Sequence, residues 1–194
     1  MSINHSGAID DDLNLTDEPI HYVCSHEQAW ELIKAQEQFW VCNCGCRENR
    51  GKCERSRLDV CLMFSGQAAP SGSGMHAITF DDARRILQEA RQKMLVARPF
   101  HAPGDPKKVE GICFCCDDCC GYFLDPTEKS GLGDLVEVTD HALCTLCGDC
   151  APICYFHARR VEDGRMRIYP DRCYGCGLCV DVCLLGAIRM VPRD

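Results

Sequence analysis

No run of apolar residues in this sequence is long enough to cross a bilayer as a helix, so a membrane span is not expected. The opening stretch, MSINHSGAIDDDLNLTDEP, lacks the basic start and apolar middle of a secretory signal, and a twin-arginine signal is missing too. Positive charge is in short supply. Against 29 Asp and Glu stand 21 Lys and Arg, a formal net charge of −8, which argues against nonspecific binding to nucleic acid. There is no GxGxxG and no CxxxCxxC run, so no dinucleotide, flavin or radical-SAM motif is in evidence. The 7 histidines show no ligand spacing, and His141 and His157 read as exposed polar positions.

Cysteine, by contrast, is abundant: 19 of 194 residues. In a short secreted chain that would mean disulfides. Here the number is odd, no export signal is seen, and the cysteines crowd into CxC and CxxC groups, which favours metal. The expected setting is a reducing cytoplasm in an organism that tolerates oxygen-sensitive cofactors.

The C-terminal part repeats itself. Cys144, Cys147, Cys150 and Cys154 recur 29 residues later as Cys173, Cys176, Cys179 and Cys183, with Gly148 mapping onto Gly177 and Ala158 onto Ala187. A cubane cluster has four irons, each needing one thiolate. Cysteines at every third position wrap three corners, and the fourth, on a turn pointing away, serves the neighbouring cluster. The expected sets are Cys144, Cys147, Cys150 with Cys183 (set I), and Cys173, Cys176, Cys179 with Cys154 (set II). Gly148, Gly175 and Gly177 would let backbone N–H groups approach the inorganic sulfides. A pair of zinc ribbons is the alternative, but these ordinarily show separated CxxC pairs. ARRVEDGRMRIY carries a hairpin signal around Glu162-Asp163-Gly164, so each copy is expected to run strand, cysteine loop, short helix, strand.

At "CTLCGDCAPIC" and "CYGCGLCVDVCLLGAI" the chain resembles the bacterial two-cluster ferredoxins. The resemblance implies a ferredoxin-like (βαβ)2 fold, two [4Fe-4S] clusters and one-electron transfer at low potential. The family's proline after each fourth cysteine is Tyr155 and Leu184 here, which removes no ligand. Asp149, Asp163, Asp171 and Asp181 read as solvated surface, with docking of a basic partner as the sharper reading.

The preceding part holds the other cysteines. Residues 1–24 read as an acidic flexible tail. Ser25 to Trp40 reads as a helix with a Ser25/Gln28 capping box, and Ile78 to Ala97 as a second, capped by Thr79 and Asp82, striped by Ile86, Leu87, Ala90 and Met94, and closed by Pro99. Ser65–Met75 and the stretch RPFHAPGDPKK read as loops, and Asp125–Gly133 as a linker. Cys42, Cys44 and Cys46 alternate, which in extended backbone puts them on one face. Cys53 and Cys61 follow, and Cys113, Cys115, Cys116, Cys119 and Cys120 form a second group. Neighbours such as Cys115 and Cys116 point apart, so this second group can face two centres.

These ten cysteines are candidate ligands of one or two further iron–sulfur clusters, with structural zinc as the alternative. The two groups are expected to meet in space, brought together by the Ile78–Ala97 helix. Arg47, Arg50, Lys52, Arg55 and Arg57 read as compensation for thiolate charge, the alternative being a docking patch for an anionic ligand or an acidic partner. Trp30, Phe39 and Trp40 read as core or cluster shielding. The stretches "VCNCGCRENRGKCERSRLDVCLMF" and "ICFCCDDCCGYF" resemble cysteine-rich ferredoxin-like proteins of anaerobes.

The expected fold class is therefore α+β: a small helical, cysteine-rich unit at 25–133 followed by a two-cluster ferredoxin unit at 134–194. The expected function is electron transfer, as a low-potential carrier or a subunit of a redox complex in an anaerobic-type metabolism, working with a redox protein partner. The alternative is a redox enzyme with a substrate-accessible, unusual cluster in the N-terminal part. A third reading is a regulatory module with a zinc-stabilised N-terminal part.

Overall fold

The computed structural model describes residues 19–102, 104–125 and 127–193. Most of the expected acidic tail lies outside them. Its last residues do not behave as a tail: Tyr22 and Cys24 donate backbone N–H groups to Pro99 and Ala97 (both 3.1 Å), and Val23 is fully buried.

Helix α1 spans His26–Lys34 and begins where sequence placed it, with Ser25 and Gln28 closing a reciprocal capping box. It ends earlier than expected. Phe39 and Trp40 belong to strand β1 (Phe39–Asn43), because the FWVCN run is aromatic and β-branched and one edge of it buries. A short helix α2 (Gly45–Arg50) follows, then β2 (Asp59–Met63) and β3 (His76–Ile78). Helix α3 (Phe80–Gln92) carries the expected Thr79/Asp82 box and buries Ala83, Ile86, Leu87 and Ala90. It stops before Met94, which takes a positive φ of 52°.

Beyond it, β4 (Val96–Ala102) and β5 (Asp105–Cys115) form a long hairpin where a loop was expected, and Pro99 lies within β4 opposite Ile112. These strands make one five-stranded antiparallel sheet in the order β3-β1-β2-β5-β4. The N-terminal part is thus built on a sheet and is not the mainly helical unit expected.

Alternation along the strands gives the sheet two unlike faces. Val41, Leu62, Ile112 and Phe114 share a core with Ala29 and Ile33 of α1 and Ile86 and Leu87 of α3. Each large side chain so buried contributes roughly 1.5–3 kcal/mol. The residues in between, Cys42, Cys61, Met63 and Cys113, cluster on the other face with Trp40 and Phe100. Trp30 packs on Phe80 at 5.5 Å between ring centres, so all three aromatics expected to shield or fill do so.

After a single turn of helix, α4 (Gly121–Leu124), come β6 (Leu135–Thr139), the hairpin β7 (Arg159–Glu162) and β8 (Arg165–Ile168), helix α5 (Leu178–Val182) and β9 (Ile188–Pro192). The hairpin turns at Asp163 and Gly164, both at positive φ, as expected of an Asp-Gly turn. Strand β6 pairs with β9 and β7 with β8, so each two-stranded sheet takes one strand from each sequence copy. The first copy has only turns where the second has α5. Pro152 stands where Asp181 stands in the second copy, and proline both lacks the N–H and disfavours helix in the residue before it.

The two parts touch. Asp181, expected at the surface, keeps only 7% of its side chain exposed: His26 Nδ1 lies 3.1 Å from its Oδ2, and Arg91 donates to its Oδ1. Burial opposes its ionisation, yet these bonds hold its carboxyl below the ordinary range. Five aromatics, Tyr122, Phe123, Tyr155, Phe156 and Tyr174, fill the contact further along, with Phe156 stacked on Tyr174 at 4.5 Å.

Candidate metal centres

In the C-terminal part the structure gathers the repeat's cysteines into two groups. Cys144, Cys147, Cys150 and Cys183 line one apolar cavity of about 370 Å³, together with Met166, Val182 and Ile188. Cys154, Cys173, Cys176 and Cys179 line a second, much tighter one of about 20 Å³. In each, three cysteines come from one copy and the fourth from the other. The loops need glycine: Gly175 has φ 82°, and a Cβ there would lie 2.4 Å from the Leu135 carbonyl oxygen, while Gly177 has φ 76° at the start of α5.

Burial pushes Cys176 up to about 12 and raises Cys154 and Cys179 as well. Left alone, these sulfurs keep their protons; a metal that takes thiolates would replace them. The four-thiolate donor set and the apolar cavity fit an iron–sulfur cluster at the first group; the second group offers the same donor set around a much smaller space. Between the two groups lies the buried pair Arg159–Glu137 (2.5 Å), its guanidinium also facing Cys150 and Cys179.

The N-terminal thiols are arranged otherwise. Register alone sets out a row across three strands: Cys42 lies opposite Cys61, and Cys61 Sγ is 3.8 Å from Cys113 Sγ. Arg98 of β4, opposite Cys113, ends the row, and its Nη1 reaches Cys120 at 3.4 Å and Cys115 at 3.8 Å. Cys44 interacts with Cys46 and Cys61, and Cys46 with Cys120. Cys46 leaves the strand face expected for it, because α2 begins at Gly45. Seven thiols, Cys42, Cys44, Cys46, Cys61, Cys113, Cys115 and Cys120, thereby form one connected group. The β2–β5 pairing joins its two sequence halves, not the Ile78–Ala97 helix expected to do so.

The remaining three form a second group: Cys116 Sγ is 3.4 Å from Cys119 and 3.6 Å from Cys53, and all three sulfurs lie within 4.8 Å of one another. Cys115 and Cys116 do point apart, one to each group.

Sulfurs in contact share protons. Cys46 is pushed down to about 2 by its bonds with Cys120 and Cys44, Cys116 to about 5 by Cys119, and Cys42 to about 6 by Cys61. Cys119, Cys120 and Cys44 go up in answer, against the thiolates of Cys116, Cys115 and Cys46. Thiolates this close repel unless a cation stands between them. Two cations of the chain itself are already buried there: Arg98, 3% exposed, at the larger group and Arg47, fully buried, at the smaller.

Arg47 carries the charge compensation read from sequence. Arg55 and Arg57 instead pair with Asp117, Asp59 and Glu89, and Lys52 with Glu54. Arg98 was missed; the one available signal was an arginine inside the otherwise apolar run LVARPF.

A family model described as a 4Fe-4S dicluster domain matches residues 143–187. The chain is similar to an uncharacterized ferredoxin of Methanocaldococcus jannaschii, 31% identical over 94 residues, which are 45% of this chain and 57% of that protein. A second uncharacterized ferredoxin of the same organism is 34% identical over 57 residues, 28% of this chain and 92% of the relative. The chain thus aligns with little more than half the length of the first relative but nearly all of the second. No solved structure matches it. With the two cysteine sets of the repeat folded around separate cavities, the match is to the part of the chain that the motif had singled out, and the protein belongs to the 4Fe-4S dicluster ferredoxins, with a cysteine-rich part preceding the ferredoxin domain.

Proposed function

We propose that the protein is a low-potential one-electron carrier, or the electron-transfer subunit of a redox complex, in a cytoplasmic metabolism of anaerobic type. It comprises a cysteine-rich unit at 25–133 and a ferredoxin unit at 134–194. The observation that carries this is the cavity of about 370 Å³ where Cys183 of the second copy joins Cys144, Cys147 and Cys150 of the first. On this reading set I is Cys144, Cys147, Cys150 and Cys183, and set II is Cys154, Cys173, Cys176 and Cys179.

Bound clusters supply one-electron transfer at potentials tuned by their surroundings. The chain's own part is to exclude water, supply positive charge and order the sites in space. Arg159 faces a cysteine of each set, its charge paired with the buried Glu137 carboxylate. Leu143, Leu146, Leu184 and Leu185 leave an exposed apolar rim beside set I, Leu184 being 95% exposed. That rim supports set I as the end that meets a redox partner. Set II faces inward, and the aromatic contact from Tyr174 to Tyr122, and from Tyr155 through Phe123 to Tyr122, leads from it to Arg98, whose guanidinium lies 4.4 Å from the Tyr122 ring centre.

The seven-thiol group is proposed to hold a further iron–sulfur centre. Its sulfurs touch in pairs, which suits irons carrying two thiolates each, as in Cys₄ two-iron clusters, better than a cubane with one thiolate per iron. The test is iron and acid-labile sulfide per chain after anaerobic purification, with EPR at graded potentials. The proposal expects about eight iron from the ferredoxin unit plus a further complement lost in Cys61→Ser. Iron that stops at the ferredoxin complement, unchanged in Cys61→Ser, would sink the extra centre and leave the carrier reading standing. A colourless, iron-free protein would sink both.

A further inference from the structure

We infer that Cys53, Cys116 and Cys119 form a separate site for a single thiophilic divalent cation of the zinc class, distinct from every iron–sulfur centre in the molecule. The inference stands whether or not the seven-thiol group holds iron.

Spacing is the first ground. Sulfurs at about 2.3 Å from one tetrahedral ion lie about 3.8 Å from each other. The trio has neighbours at 3.4 and 3.6 Å, with no pair beyond 4.8 Å. Thiolates on different irons of a cubane stand much further apart, since an iron–iron edge separates them. The trio is too tight for a cubane, and with all three sulfurs gathered at one point it is the right size for one ion.

Charge is the second. Arg47 is fully buried, and apart from the carbonyl oxygens of Phe114 (2.8 Å) and Arg57 (3.3 Å) it faces Cys53, Cys119 and Cys44. Its Nε has no hydrogen-bond partner among the described residues. A guanidinium does not give up its proton, so a dry arginine requires anions beside it. Three thiolates without a further cation would overshoot. With one divalent ion and Arg47 they balance, and the site is neutral. The Asp118 carboxylate, which accepts from the Glu54 N–H (3.0 Å), interacts with Cys53 and has its own negative charge faced by Arg50 and Lys52, can supply an oxygen to complete the tetrahedron.

The surroundings are the third. The adjacent cysteines Cys115 and Cys120 turn to Arg98 on the other side of the chain, so the trio shares no sulfur with the larger group. Its place is structural: Cys53 lies in the loop after α2 and Cys116 just past β5, and an ion there would clamp that loop to the end of the sheet.

The experiment uses the full chain, purified without oxygen from zinc-supplemented cells with its iron–sulfur centres in place. Zinc per chain is measured by elemental analysis and its ligands by zinc-edge X-ray absorption. The expected result is one zinc with three sulfur ligands and one lighter atom. In Cys116→Ser the zinc content should fall at least tenfold while iron and cluster EPR stay as in wild type. Cys24→Ser, a change at a buried cysteine outside the trio, should keep the zinc. The spectrum of the unaltered protein decides the matter even if a variant fails to fold. A wild-type protein without zinc, a zinc shell of four sulfurs, a loss of iron in Cys116→Ser, or a Cys116–Cys119 disulfide found by thiol counting would each overturn the inference.

Discussion

The two parts of this chain carry nearly equal numbers of candidate sulfur ligands and organise them by opposite means. In the ferredoxin domain the cysteines sit on short loops and, for Cys179, at the start of α5, and line cavities walled by apolar side chains such as Met166 and Ile188. In the N-terminal part the thiols touch, and what holds them is a sheet whose register was set by the residues in between. The lesson is that a metal centre can be specified locally, by ligand spacing, or globally, by the packing of a core on the reverse face. The two kinds should fail differently.

The largest difference should follow from Cys183→Ala. It removes the proposed cross-copy ligand of set I, and iron should fall by about four per chain with any metal of the N-terminal part untouched, as elemental analysis would report. Next is Leu62→Ala, which touches no sulfur. It opens a cavity in the core behind Cys61 and Cys113 and should cost about 2–5 kcal/mol. Metal bound by the N-terminal part should loosen while the ferredoxin EPR signals persist; loss of both together would mean the parts are not independently specified.

Smaller is Asp181→Asn, which weakens the tie of α5 to α1 and α3 by about 1.5–3 kcal/mol. The carboxyl is held below its ordinary value in the fold. The difference between wild type and variant should therefore be complete above the ordinary carboxylate range and vanish as pH falls through the lowered value, followed by chemical unfolding. Smallest is Thr79→Ala, the loss of one cap of α3, at about 1 kcal/mol in a thermal melt with no change in metal content.

Legibility in the sequence divides along the same line. The repeat, its two cysteine groups and the Asp163-Gly164 turn could be read because each is a matter of a few neighbouring residues. So could both capping boxes, at Ser25 and Thr79. The sheet could not. Phe39-Trp40 read as the end of the first helix, Val96-Ala97 as the end of the second and RPFH as a loop, and only pairing with β2 and β5 makes them strands. For the same reason the thiol row was foreseen as a meeting of two groups but credited to the wrong element, and Arg98 went unnoticed, since its place opposite Cys113 exists only once the register does. Asp181 was taken for surface because nothing nearby in sequence announces His26 or Arg91 as its partners.

The tight spacing of the N-terminal sulfurs also bears on how the protein must be made. Sulfurs 3.4–3.8 Å apart need only surrender two electrons and two protons to bond to one another. A copy that folds empty and then meets an oxidant is closed off at those positions, and its arginines are left beside neutral bridges. If the proposed metals bind there, maturation of this part is a race that the metal has to win before the first oxidant arrives, and cells short of metal should accumulate a cross-linked, inert form of the protein even where their ferredoxin loops remain open to repair.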